Sequence, residues 1–179
     1  YDLALEFDMT RADTRYGPLG KITWTDNNAT GRGDVLTWTV SAAIASTQPF
    51  AYTSSSIVPN SGEFSFLGSY RTIGIFPLRL ETLPKSTEPH SEWLMQVARE
   101  SRPEYYSSTF DYRHRIEWTE NPVRRSRIVI DVLHLSYVNL DVSEDFSDWL
   151  ETEDNEVLKR RFSDYALTGS RIGWNSLVG

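Results

Sequence analysis

The chain carries three histidines, His90, His114 and His134, and no cysteine. Imidazole is the side chain best suited to moving protons or holding a metal near neutral pH, so chemistry would be sought first at these positions. His114 and His134 each follow an aspartate by three positions, Asp111 and Asp131. On a strand that spacing predicts opposite faces for each Asp and its His, which builds neither a catalytic pair nor a metal site. The lack of cysteine removes thiolate nucleophiles, thiolate-ligated zinc and disulfides together, and leaves the redox compartment open. The sequence has no GxSxG elbow, phosphate loop, HExxH or paired-glycine nucleotide fingerprint. The expectation is a protein that is not an enzyme and uses neither cofactor nor metal. Arg32-Gly33-Asp34 and Asn28-Ala29-Thr30 have the form of adhesion and glycosylation triplets, but such triplets arise often by chance.

The informative chemistry lies in the pattern along two long segments, EYYSSTFDYRHRIEW and SRIVIDVLHLSYVNL, which flank a turn at Glu120-Asn121-Pro122. Ser107, Thr109, Asp111, Arg113, Arg115 and Glu117 alternate with Tyr106, Phe110, Tyr112, Ile116 and Trp118, with Ser108 and His114 interrupting the second set. Alternate residues of a strand point to opposite faces, so one face is wet and the other is apolar and aromatic. Ordinary strands run about 5–6 residues, whereas a strand tilted across a bilayer needs roughly 9–11. Both segments exceed that.

About eight strands follow from the same reading. The first, Asp2 to Met9, sets Leu3, Leu5, Phe7 and Met9 against Asp2, Glu6 and Asp8. A polar turn around Asp13 to Pro18 precedes a second strand near Leu19 to Asp26, and a turn at Asn27 to Asp34 a third, Val35 to Ala45. There Leu36, Trp38, Val40, Ala42 and Ile44 form the clearest lipid-type face. Strands are expected next at Gly62 to Thr72 and Trp93 to Glu100, then in the long pair, and last at Tyr165 to Trp174, whose faces are mixed. Pro77 bars a central strand through IGIFPLRL. Ser143 precedes Glu144 and Asp145 as an N-cap would, and apolar residues from Phe146 to Phe162 recur at helical spacing, predicting a helical loop near 143–162, broken near Glu153-Asp154. Short turns at 27–34 and 120–125 and long connections after Ala45 and Leu140 suggest a barrel with short turns at one end and long loops at the other, with 73–90 as an exception.

Composition allows this without requiring it. A chain of 179 residues with 39% hydrophobic content could build an ordinary core, and no stretch of about 20 apolar residues offers a transmembrane helix. YDLALEFD lacks the basic flank and apolar core of a signal peptide and is expected to be mature structure. A mean hydropathy of -0.44 does not exclude a barrel, whose alternation hides its membrane face. The net charge of -7 argues against a nucleic-acid surface, and the basic cluster Arg124, Arg125 and Arg127 is expected in a solvated turn. The same alternation would serve a soluble all-β sandwich binding a ligand or carbohydrate through Trp24, Trp38 and Trp93. A passive porin-type channel shares the barrel architecture.

Five segments taken in order resemble the barrel domain of the BamA/TamA superfamily of outer-membrane assembly proteins, nearest its surface-antigen-type, TamA-like members of Bacteroidetes. They are Asn28 with Gly31-Arg32-Gly33-Asp34, FSFLGSY with IFPL, RPEYYSSTF, LSYVNLDVSEDF and DYALTG. Asn28, Gly33 and Asp34 match a family turn in which Ala29 and Thr30 replace an apolar pair, Arg102 to Tyr105 match an Arg-Pro-acid-Tyr strand start, and Ser136 to Leu140 match a strand leading into a helical external loop. The resemblance implies an all-β antiparallel transmembrane β-barrel, with residues 1–179 forming one partial domain, about half of sixteen strands. The family's periplasmic domains and its Val-Arg-Gly-Phe loop are not in this sequence, so the remaining half is expected elsewhere in a longer protein or in a partner chain.

The same resemblance implies insertion or translocation of proteins at the outer membrane of a Gram-negative bacterium. The first strand would then be a lateral seam, pairing with unfolded outer-membrane clients by strand addition while Leu3, Leu5, Phe7 and Met9 face lipid. Leu36, Trp38, Val40, Ile44, Phe110, Tyr112 and Ile116 are the other lipid-facing candidates. The expected partners are lipid, the rest of the barrel with its periplasmic domains, and clients, with no nucleic acid.

Overall fold

The alternation becomes eight consecutive antiparallel strands in a computed structural model that describes residues 1–12, 15–47, 60–76, 87–121, 126–152 and 162–175. The strands are β1 (Asp2–Ala12), β2 (Arg15–Asp26), β3 (Val35–Thr47), β4 (Ser61–Ile73), β5 (His90–Ser101), β6 (Tyr105–Asn121), β7 (Ser126–Val142) and β8 (Tyr165–Asn175), with helix α1 (Glu144–Thr152) between the last two. All eight lie in one sheet in chain order, each paired with its sequence neighbours, and β1 and β8 form its two edges. A sandwich needs two sheets packed face to face, so the sandwich architecture considered above is not this fold. Strand lengths run from 11 residues in β1 to 17 in β6 and β7, all long enough to cross a bilayer when tilted.

The register carries one chemistry straight across the sheet. Leu5, Ile22, Val40, Phe66, Val97, Phe110, Tyr137 and Ala166 stand in a single row from edge to edge. On the other face, Glu6, Lys21, Ser41, Ser65, Ala98, Thr109 and Val138 form the matching row. Exposure is the reverse of a water-soluble sheet. On β3 the apolar-side Val40, Ala42 and Ile44 are exposed while Thr37, Thr39 and Ser41 are half-buried, and on β7 Leu135 and Tyr137 are exposed while Ser136 is half-buried. A sheet curving toward its polar side produces this, since its outer side chains splay apart. Among the described residues the buried hydrophobic side chains are only Ala45, Ile75, Ile116, Phe146 and Leu150. Among the described residues neither face forms a core of the size expected for a chain this long.

Several elements differ from the sequence reading. Gly17 and Pro18, read as part of a turn, lie inside β2, and only residues 13–14 separate β1 from β2. Residues 102–104 make another short link at that end, so short connections are not confined to the opposite end, where 27–34 and 122–125 lie. Glycine is required at Gly17 because a Cβ there would sit 1.9 Å from the Ile44 carbonyl oxygen, against backbone that cannot swing away. Helix α1 begins after Ser143, whose carbonyl accepts from Ser147 N at 2.8 Å, and it seats Phe146 against Trp149 and Phe162. The expected second helical piece and its break at Glu153-Asp154 lie outside the described residues, as do Pro77, Arg124 and Arg125.

Replacing Gly17 by Ala is expected to destabilise the sheet by about 1–3 kcal/mol, the usual range for forcing an extra methylene into a filled space. Gly169→Ala, with nothing within 4 Å of the added Cβ, should leave stability nearly unchanged. Urea unfolding of both variants in detergent checks the contrast, and equal effects would refute it.

Candidate functional site

Three features could carry function: the uncovered apolar face, the turn before β3 and a charged lattice on the polar face. The apolar face begins at edge strand β1. Leu3, Leu5 and Phe7 are all exposed, Phe7 to 85%. Met9 continues the series on β1, in register with Pro18. Phe7 lies over Gly20, and Trp38 over Gly68, where a Cβ would approach the Trp38 ring to 2.5 Å. Glycine thus gives each ring a flat seat across the strands, a recognised device for pinning register. Val40, Ile44 and Phe110 are exposed on the same face, and Leu36, Trp38 and Tyr112 are half-buried there.

Ile116 departs from the expectation of a lipid-facing residue, being only 7% exposed. It stands beside Ser91 in register, and Ser91 is covered by the segment after β4: Phe76 N donates to Ser91 Oγ at 2.8 Å, and Ser91 Oγ donates to the Gly74 carbonyl at 3.0 Å. That segment roofs this part of the face. Beside it Tyr70, Trp93 and His114 stack in a row across β4, β5 and β6, with Phe76 edge-on to Trp93. Trp24 stacks with Tyr1 toward the same end of the strands. Together they make an aromatic band near the turn at 27–34 and the link between β4 and β5, the position of an interfacial girdle in barrels.

The turn resembling the family's is built by its own polar groups. Asn28 Oδ1 accepts from Gly33 N at 2.8 Å, Ala29 N donates to the Asp34 carbonyl, and Asp26 Oδ1 accepts from Asn28 N. Gly31 and Gly33 hold φ near +77° and +79°, the left-handed region that favours glycine. Arg32, between them, is exposed and lines a cleft with Asp34, Tyr70, Phe76 and Trp93. Asp34 is only 2% exposed and joins the turn to β4. Tyr70 OH donates to its Oδ2 at 3.0 Å and Thr72 Oγ1 to its Oδ1 at 2.5 Å, and Thr30 also donates. The Thr30 and Thr72 hydroxyls, with Tyr70 and the Ile73 N–H adding to them, hold the Asp34 carboxyl below the usual range for aspartate, against burial, which pushes it up.

The polar face is satisfied largely by itself. Thr23 meets Thr39, Thr25 meets Thr37 and Ser41 meets Ser65 across strands. Between β5 and β8 hydroxyl pairs give way to charges. Arg115 clamps Asp131 with Nε to Oδ1 at 2.7 Å and Nη2 to Oδ2 at 3.4 Å, and Arg171 reaches the same carboxylate at 3.1 Å. His134 Nε2 lies 3.0 Å from Asp111 Oδ2, and Glu117 is flanked by His90 and Arg127. Asp111 and His114 do fall on opposite faces, as the spacing predicts. Asp131 and His134 do not. An extra residue in β7 shifts its register against both β6 and β8 between Asp131 and His134, so the two share the polar face. Such a bulge re-aims a side chain and leaves no mark in residue type. Among the described residues no group of three His, Cys, Asp or Glu side chains is placed to hold a metal ion.

Comparison with known protein families, curated proteins and solved structures finds no match for the chain.

Substituting Asp34 by Ala should cost about 1–2 kcal/mol, since it strands hydroxyl donors of Thr72 and Tyr70. The sign with pH follows from the lowered carboxyl. The Asp34 contribution is fully present above the ordinary value of 3.8 and is lost as pH falls through the lower folded value. The stability gap between wild type and Asp34→Ala should therefore be constant from pH 7 to about 5 and shrink below about 4. A gap that widens on acidification would contradict the assignment.

Proposed function

We propose that this chain forms part of a transmembrane β-barrel in the outer membrane of a Gram-negative bacterium, where it serves the insertion or translocation of other proteins without bond chemistry. The observation that carries the membrane placement is the pairing of an uncovered apolar face with an internally hydrogen-bonded polar one. In water, leaving Leu3, Leu5, Phe7, Ile22, Ile44 and Phe64 exposed forfeits roughly 25 cal/mol for each Å² of apolar surface not buried. In lipid the same face is already in its preferred solvent. The long strands and the aromatic band support the same reading.

The assembly function rests on the resemblance set out above and on edge strand β1. An edge presents a row of unpaired N–H and C=O groups, which in hydrocarbon must find another strand. Further strands of the barrel, or a client strand added by backbone pairing, would meet that need. The partners proposed are therefore lipid, the remaining strands with their periplasmic domains, and unfolded outer-membrane proteins. A passive pore would share the apolar face but would capture no client at β1.

Fractionation of cells making the native protein, with gel mobility read before and after boiling, tests the membrane reading. Outer-membrane recovery with a heat-dependent shift is expected. Recovery as a soluble, monodisperse protein would overturn it. Photocrosslinking from Glu6 on β1, compared with Thr109 on β6, tests the function: client adducts are expected from the first position only, and conductance without adducts would replace assembly by a passive channel. Val40→Arg should disfavour insertion by about 2–4 kcal/mol, the range for a cation at mid-bilayer on a barrel's lipid face, while Thr39→Arg on the polar face should be tolerated. Refolding into vesicles of both variants measures this.

A further inference from the structure

The bulge in β7 brings together more positive charge than its carboxylates neutralise. Arg113, Asp131, His134, Gly169, Ser170 and Arg171 line a pocket of about 280 Å³ between β6, β7 and β8. Asp131, 6% exposed, is already held by Arg115 and Arg171, and Asp111 is held by His134. Among the described residues no carboxylate lies within ion-pair distance of Arg113. Arg171 spends one nitrogen on Asp131 and is otherwise 73% exposed. On the far side of Arg115, Glu92 stands in register with Arg115 on one side and Arg71 on the other. Counting these groups, Arg71, Arg113, Arg115 and Arg171 face Glu92, Asp111 and Asp131, an excess of one cation in a chain of net charge -7.

The geometry points to this pocket as a binding site for a phosphate-type oxyanion, held between the guanidinium groups of Arg113 and Arg171. Asp131 is the positioning residue. Its two oxygens fix Arg115 and Arg171, so Arg171 reaches the pocket already oriented. A guanidinium offers paired N–H donors in a fixed plane, and two of them suit a dianion better than a single-charged carboxylate. Gly169 leaves the space open, since a Cβ there would meet nothing within 4 Å. Without the extra residue in β7, His134 would face the opposite side, Asp111 would lose its partner and would compete for Arg113. The site goes beyond the assembly reading and does not depend on it, because all its groups lie on the polar face of three adjacent strands.

The test is calorimetric titration of the full chain, refolded in detergent, with inorganic phosphate at fixed ionic strength and with acetate as the carboxylate probe. Saturable phosphate binding is expected, with acetate at least tenfold weaker. Arg113→Gln and Arg171→Gln should each weaken phosphate by at least tenfold, while Lys21→Gln, removing a cation elsewhere on the polar face, should leave it unchanged. Gly169→Val fills the pocket with every arginine in place and should also abolish binding, which guards against a loss caused by misfolding of an arginine variant. Absence of saturable binding in the wild type, binding by Arg113→Gln equal to that of Lys21→Gln, or wild-type binding by Gly169→Val would each overturn the proposal.

Discussion

The structure depends on its polar face having partners of its own. A hydroxyl or charge turned away from water costs free energy unless it is hydrogen-bonded, and here cross-strand neighbours supply the bonds: Thr23 with Thr39, Ser41 with Ser65, Arg115 with Asp131. Once those groups answer one another, the polar side can be the enclosed side. The apolar side then has no second layer to bury against, and lipid is the solvent that leaves Leu5, Ile22 and Val40 unpenalised. The proposed membrane location thus follows from which face is satisfied, more than from hydrophobic content, which at 39% is ordinary.

Period-two alternation makes most of the strand order and facing legible in the sequence. It assigns the correct strand and face to Leu3, Leu5, Phe7, Leu36, Trp38, Val40 and Ile44, because one residue's direction fixes every other in an unbroken strand. The failures fall where the strand is broken or roofed. The bulge after Asp131 reverses parity for the rest of β7, and no residue type there announces it. Gly17-Pro18 reads as a turn because glycine and proline usually punctuate chains, yet the glycine serves a close approach to Ile44. Ile116 has the right parity for the exposed face and is buried because the segment 74–76 is tied down onto Ser91, a tertiary event outside its own strand.

The polar turn at Asn28 to Asp34 shows the two levels together. Gly31 and Gly33 are readable as positions needing left-handed backbone, and Asn28 as a side chain that caps a turn. What the sequence could not give is that Asp34 works on β4, thirty-six positions from Tyr70 along the chain. By the resemblance this aspartate is part of a turn. The structure makes it the tie between two hairpins, so the turn holds the end of β4 as well as its own loop.

The strands are fastened to one another by side-chain contacts of different kinds. Lys21 to Glu6 and Asn27 to Asp2 tie β1 to β2 and its turn, and both are exposed to solvent. An exposed ion pair contributes about 0–1 kcal/mol. By contrast, β6 and β7 share a two-pronged Arg115–Asp131 bond and the Asp111–His134 contact, and Arg171 carries the lattice on to β8. Two-pronged arginine–carboxylate bonds are among the stronger polar contacts and resist shear along the strands. Separation anywhere between β6 and β8 must therefore pull charges off a nearly buried carboxylate as well as break backbone bonds. The charged lattice thus holds β6, β7 and β8 together in register.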